Sequence, residues 1–591
     1  MSHIKKIFTY VVAASLLGTG CKDLLVPNIQ NNRQLDPNAY LPSDARFPYG
    51  VLLNAYTRIP TNSWTFSDVA TDDAVSNDQN NAFLKAATGQ WTAINNPLNQ
   101  WTNGFAAIQY INIVLEEADK VKWASNEAKS ALFNTRIKGE AYALRALHMY
   151  HLLLNHAGVG TDGKLLGVPI LLLPQVATSN FNVARATFQE CVAQIYKDLD
   201  KAEAMLPLDF ERLTSASQIP PQFGTNLELY NEVFGDAFRG LITARIAKAI
   251  RAQTAFLAAS PAYQTGGYSG SWEEAAKLTA AVINLKGGMS GFATNGLQWY
   301  SNAAEITALR DGANPPEILW RSNASDNRDL EQANFPPTLF GQGRINPTQN
   351  LVDAFPMSNG YPINHPQSGY NPANPYANRD PRLRHFILVN GGTAGVNNTV
   401  INTAADGTTN DGLNKVETST RTGYYMRKLL RQDVNLNPNS ATNQRKYKPH
   451  IRYTEIFLMY AEAANEAWGP TGTGGNAYSA YDVIKAIRTR AGVGTTNGDP
   501  WLETAKGSKE AMRELIRNER RLELCFEGFR FWDLRRWKAN LTEPATGVSI
   551  TNGNYNKINV EDRVYKPFMT YGPIPYSEIL KFSALTQNQG W

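Results

Sequence analysis

Apolar side chains recur at three- and four-residue spacing along most of this chain, the period of an amphipathic helix. Residues 135–156 (TRIKGEAYALRALHMYHLLLNH) carry the pattern without a break and stop just before Gly158. Residues 186–206 predict a second long helix, closed by Pro207. Residues 238–259 predict a third, closed by Pro261, with 272–285 as its partner. Residues 451–467 and 481–491 predict another pair. Long polar stretches lie between them. Residues 314–380 are rich in Pro, Asn and Gly, and 391–423 (GGTAGVNNTVINTAADGTTNDGLNKVETSTRTG) predict an exposed insertion.

Helices joined by short connections and rich in small residues have the form of tetratricopeptide-like hairpins, here irregularly spaced rather than cleanly repeated. At 591 residues the chain exceeds the usual span of one hydrophobic core. No Gly/Ser-rich linker divides it, however. The expected fold is mainly α: helical hairpins forming one compact scaffold, with a loop-rich subregion at about 310–430.

The first residues depart from this pattern. Lys5 and Lys6 form a short basic region, residues 7–17 (IFTYVVAASLL) are apolar or small, and Gly18-Thr19-Gly20-Cys21 follows. This is the layout of a secretory signal, too short to span a membrane. A Cys directly after small residues is the bacterial lipoprotein pattern, although Gly18 stands where Leu or Val is more usual. The expectation is a signal peptide over 1–20, an acylated Cys21 as mature N-terminus, and one domain over 21–591. An ordinary signal peptide with a chance cysteine is the alternative.

Charge excludes one class of partner. The net charge is +5, and losing the two lysines of that segment takes it to +3. Such a balance gives no support to a nucleic-acid binder. Motifs for catalysis or cofactors (HExxH, GxSxG, a P-loop, CxxC) do not occur, and neither a cofactor nor a metal is expected. His148, His151 and His156 share part of a helix face but have no nearby acid, so they are expected to pack. Gly341-Gln342-Gly343 lacks the flanking strand and helix of a nucleotide loop. Cys191 and Cys525 sit in apolar helical patterns and are expected as buried free thiols.

The densest charged stretch is RNERRLELCFEGFRFWDLRRW, residues 517–537, with six arginines and four acids. Leu522, Cys525, Phe526 and Phe529 follow helical spacing, and Arg520–Glu523 and Glu527–Arg530 are candidate i,i+3 pairs. Gly528 is expected to end or bend that helix before a short one carrying Trp532, Leu534 and Trp537. Interleaved opposite charges argue against phosphate binding and for a paired, partly buried network. Glu519, Arg520, Glu523 and Arg530 are thus expected to hold the fold.

This stretch resembles the C-terminal signature of the SusD/RagB family. Other segments follow in that family's order: EAYALRALHMYHLLLNHAG with GVPILL, LVDAFPMSNGYPI, NRDPRL, RYTEIFLMYAEAANEA, IRTRAGV, and the closing PIPYSEILKFSALTQNQGW. The resemblance covers essentially the whole chain. It implies a tetratricopeptide-like lipoprotein at the cell surface, anchored to the outer membrane through Cys21. Such proteins cap a TonB-dependent SusC-like barrel and pass it a bound glycan, or sometimes a peptide, without catalysis. A secreted glycan-cleaving enzyme is the rival from another class, and a purely structural lid is a third.

Starch-binding members carry aromatics soon after a Thr-Asp-acid segment. Here Thr71-Asp72-Asp73 is followed by AVSNDQNN, with no aromatic until Phe83, so starch is not the expected ligand. Sugar rings offer C–H faces edged by hydroxyls and need aromatic planes with hydrogen-bonding groups. The resemblance points to Trp64 and to Phe335, Phe340, Gln342 and Arg344 of the Pro-rich loop as the ligand-binding residues. For each aromatic, packing into the core is the competing role.

Overall fold

A computed structural model of the chain describes residues 45–60, 66–310 and 312–591. Cys21 and Trp64 lie outside the described residues. The principal helices are α1 (Arg46–Thr57), α2 (Trp101–Glu117), α3 (Glu127–His156), α4 (Phe188–Met205), α5 (Ala244–Ala259), α6 (Trp272–Asn284), α7 (Tyr453–Trp468), α8 (Ala480–Ala491), α9 (Lys509–Glu523) and α10 (Arg530–Arg536). From α1 to α7 each packs on the next, and α7 also meets α8 and α9. The result is a mainly helical scaffold of successive hairpins.

Local chemistry sets many of the helix starts. Asn126 caps α3 by accepting from Lys129 N at 2.9 Å, and Thr187 opens α4 in a reciprocal capping box with Glu190. Small residues set the spacing: a Cβ on Gly139 of α3 would sit 2.8 Å from Leu206, beside the end of α4. Among the described residues no helix is long and apolar enough to cross a membrane.

Several sequence expectations need correction. The helix predicted over 238–259 starts only at Ala244, because Gly240 turns at φ 91° and Thr243 caps the helix. The helix predicted from 451 starts at Tyr453, because Ile451 and Arg452 belong to a strand. The helix predicted to reach Gly528 stops at Glu523, and Phe526 adopts a left-handed φ of 61°.

A second hydrophobic core lies outside the helical one. It gathers Val69, Trp299, Phe335, Phe355, Phe386, Tyr424 and Leu430 with Leu522, Cys525 and Phe526. Short antiparallel ladders stitch it together. Strand β1 (Ala74–Ser76) pairs with β3 (Ile345–Pro347), β2 (Ile318–Arg321) with β4 (Pro449–Arg452), and β5 (Ala545–Thr551) with β6 (Asn554–Glu561). The segment 391–423 is not the exposed insertion its composition predicts. Ile401, Thr403, Asp411, Thr420 and Thr422 are all fully buried, and Thr420 Oγ1 donates to Tyr424 O at 2.7 Å.

The charged stretch joins the two cores. The i,i+3 pairs expected there do not form. Instead Arg520 pairs with Asp533, while Glu523 faces Arg490 at 2.8 Å, Arg382 at 3.2 Å and Arg452 at 3.5 Å. Glu519 meets Arg488 at 2.6 Å and Arg382 at 3.0 Å, and Glu527 meets Lys428 and Arg452. Arg521 and Arg530 reach back to Asp72 at 2.7 and 3.1 Å. The apolar stripe divides as well: Leu522, Cys525 and Phe526 enter the second core, and Phe529 packs on the helical one. A helix that ended at Gly528 could not serve both sides.

The histidines pack as neutral side chains. His148 bonds to Ala55 O, and His156 bonds to Pro573 O while accepting from Gln100 N. Burial pushes His148, His151 and His156 down to about 4, 3 and 4. Cys191 and Cys525 are buried free thiols, and burial pushes Cys191 up to about 11.

Candidate functional site

The Pro-rich loop is fastened from below and presents its tip to solvent. Pro336 and Pro337 pre-set the turn, and Phe340 closes it in the left-handed region at φ 63°. Phe340 N donates to Pro337 O, Gly341 N to Pro336 O and Gly343 N to Phe335 O, at 2.8, 3.2 and 3.0 Å. Both glycines are required by close approach: a Cβ on Gly341 would sit 2.0 Å from Phe335 O, and one on Gly343 would sit 2.5 Å from Thr418 O. Gly341-Gln342-Gly343 is therefore a packing device.

The expected site residues divide. Phe340 is 56% exposed, and Gln342 is exposed with Arg344 half-buried two residues on. Arg344 Nε donates to Gln342 Oε1 at 3.0 Å, which orients both groups. Phe335 is only 2% exposed and belongs to the second core, so it supports the loop from beneath and offers no face to a ligand.

Two contributors escaped sequence reasoning. The β1–β3 ladder sets Val75 opposite Asn346 and so delivers Asn77 beside the loop. Asn77 Nδ2 donates to Gln342 O and Ser419 O at 3.0 and 3.2 Å, and its Oδ1 accepts from Arg344 Nη1 at 3.3 Å. Asp411, from the segment expected to be exposed, accepts from Thr338 N and Oγ1 at 2.9 and 2.5 Å. The three residues of β1 are too few to display a strand period, and a polar run does not announce buried carboxylates.

The same ladder ties the loop to the charged stretch. Thr348, just after β3, donates its hydroxyl to Asp72 O at 2.5 Å, and Asp72 is gripped by Arg521 and Arg530. Burial would raise the Asp72 carboxyl, but Arg521 and Arg530 outweigh it and hold the group below the usual carboxylate range. Chemically, the loop offers one aromatic plane, a guanidinium, and amides that donate and accept.

Residues 316–591 match the family model described as the SusD family, and residues 49–219 match a second one, described as starch-binding and associating with the outer membrane. The chain belongs to the SusD family. Solved structures of SusD-like proteins share its fold. One from Bacteroides fragilis superposes with a TM-score of 0.70 at 22% identity, over 95% of this chain and 99% of its own. A SusD-like carbohydrate-binding protein from the same species gives 0.66 at 22% identity, over 92% and 99%. A laminarin-binding SusD-like protein gives 0.55 at 17%, also over 92% and 99%. Two SusD-like proteins of Formosa agariphila are each 32% identical to this SusD-family chain over short stretches. These cover 15% and 19% of the chain and only 16% and 19% of the relatives' own lengths.

Proposed function

We propose that this SusD-family protein is a non-enzymatic, cell-surface glycan-binding lipoprotein. It captures oligosaccharides and hands them to a TonB-dependent SusC-like barrel in the outer membrane. The observation that carries this reading is the exposed Phe340, set in a left-handed turn beside Gln342, Arg344 and Asn77. An exposed aromatic in such a turn costs stability, and a ligand that stacks on it gives it a use. Support also comes from relatives of the same fold whose names record carbohydrate and laminarin binding. In this reading Trp64 supplies a second aromatic plane.

Binding here is shallow and weak per contact, because each hydroxyl exchanges water for protein at a net gain of about 0.5–1.5 kcal/mol. Phe340→Ala is expected to weaken oligosaccharide binding at least tenfold in calorimetric titration and to leave the melting temperature unchanged. Unaltered affinity in that variant would remove Phe340 from the site.

Anchoring follows from Cys21 at the end of its basic, apolar and small-residue sequence. Acyl chains contribute about 0.8 kcal/mol per buried CH₂. Cys21→Ala is expected to move the protein from the outer-membrane fraction to the soluble one after a high-salt wash. Retention in the membrane would contradict the lipid anchor.

A further inference from the structure

On another part of the molecule, Lys538 and Lys566 line a cleft of about 650 Å³, within the size range of ligand sites. No Asp or Glu belongs to its lining. Both lysines are exposed. Lys538 stands two residues past the end of α10 and takes a left-handed φ of 54°, a conformation uncommon for a non-glycine residue.

A third cation lies beneath. Arg535 is 4% exposed, and its Nε donates to the carbonyl of Thr570, itself part of the lining. Its guanidinium sits 4.9 Å from the Trp532 ring centroid and 5.3 Å from that of Trp91, and its Nη1 has no hydrogen-bond partner. The neighbouring Arg536 is neutralised by Glu462 and Asp533. Arg535 has rings around it where Arg536 has carboxylates. Burial pushes Arg535 down to about 10, which still leaves it charged at neutral pH.

The rest of the lining has a different character. Phe568 and Tyr571 are half-buried and fixed from behind: Phe568 packs edge-on against Trp591 at 5.2 Å, and the Tyr571 hydroxyl donates to Ala262 O at 2.5 Å. Thr265, Asn540 and Gln589 add a hydroxyl and two amides, groups that both donate and accept. Such groups suit sugar hydroxyls better than an extended peptide, whose backbone would look for a strand edge.

We propose that this cleft is a second glycan site, selective for an acidic sugar whose carboxylate or sulfate meets Lys538 and Lys566 while the ring lies against Phe568 or Tyr571. It is separate from the Phe340 loop and does not depend on it.

The test is calorimetric titration of the full chain with four probes: tetragalacturonate, a sulfated galactan tetrasaccharide, neutral galactotetraose and pentaglutamate. The paired variant is Lys538→Asn with Lys566→Gln, since Asn tolerates the left-handed turn. At least one acidic sugar is expected to bind ten times or more tighter than the neutral one, and which of the two does so identifies the acid. The paired variant should lose at least tenfold of that affinity, while Phe340→Ala should keep it. Raising salt from 50 to 500 mM should weaken wild-type binding severalfold, a readout independent of any variant. Equal binding of acidic and neutral sugars, an unchanged affinity in the paired variant, or tighter binding of pentaglutamate would each overturn the proposal. Loss of acidic-sugar binding in Phe340→Ala would place the ligand at the loop and overturn it as well.

Discussion

Glu523→Ala is expected to destabilise the protein by about 3–5 kcal/mol, the cost of breaking a buried charge network by removing one member. Glu523 is 1% exposed and faces three guanidiniums, those of Arg490, Arg452 and Arg382. Burial alone would raise its carboxyl, but these arginines outweigh that and hold it at about 2, against an ordinary value of 4.5. A depressed carboxylate contributes stability that is present above its unfolded value and lost as pH falls through the folded one. The gap between wild type and variant should therefore be full above pH 4.5 and shrink between pH 4.5 and 2. Denaturant unfolding at several pH values measures it. A variant as stable as wild type, with ligand binding abolished, would move this residue from scaffold to site.

Arg521→Met is expected to be comparably severe, at about 3–5 kcal/mol, for a different reason. Arg521 bridges Asp72 at 2.7 Å and Asp73 at 2.6 Å, closer to both than Arg530 is, and Asp73 is fully buried. Without it Asp73 keeps only Arg530, at 3.7 Å. The leftover carboxylate can be relieved by a proton, so the deficit of this variant should narrow as the solution is acidified. Since Asp72 also accepts from Thr348 beside β3, the Phe340 loop should loosen together with the ladder. Hydrogen exchange over residues 74–77 and 340–347 should rise in the variant. Unchanged protection there would separate the charged stretch from the candidate site.

The long helices were legible because their apolar period repeats over many turns, and Pro207 and Pro261 mark where two of them end. What was not legible was decided by tertiary partners. Ile451 and Arg452 continue a helical pattern but pair with β2 instead. Arg520 and Glu523 stand three apart, yet each finds its partners in distant segments. Thr420 and Thr422 read as polar and exposed, but they are buried because their hydroxyls bond within the turn that carries Tyr424. In the site, the exposure of Phe340 and the burial of Phe335 could not be told apart by residue type. Asn77 became visible only through the β1–β3 register.

The central claim is that this protein binds glycans without cleaving them. The most direct test titrates the wild-type chain calorimetrically with a panel of oligosaccharides and a mixture of peptides, then assays each sugar for new reducing ends. The prediction is heat from at least one oligosaccharide, none from the peptides, and no increase in reducing ends. Heat from peptides alone, or new reducing ends on any bound sugar, would contradict it.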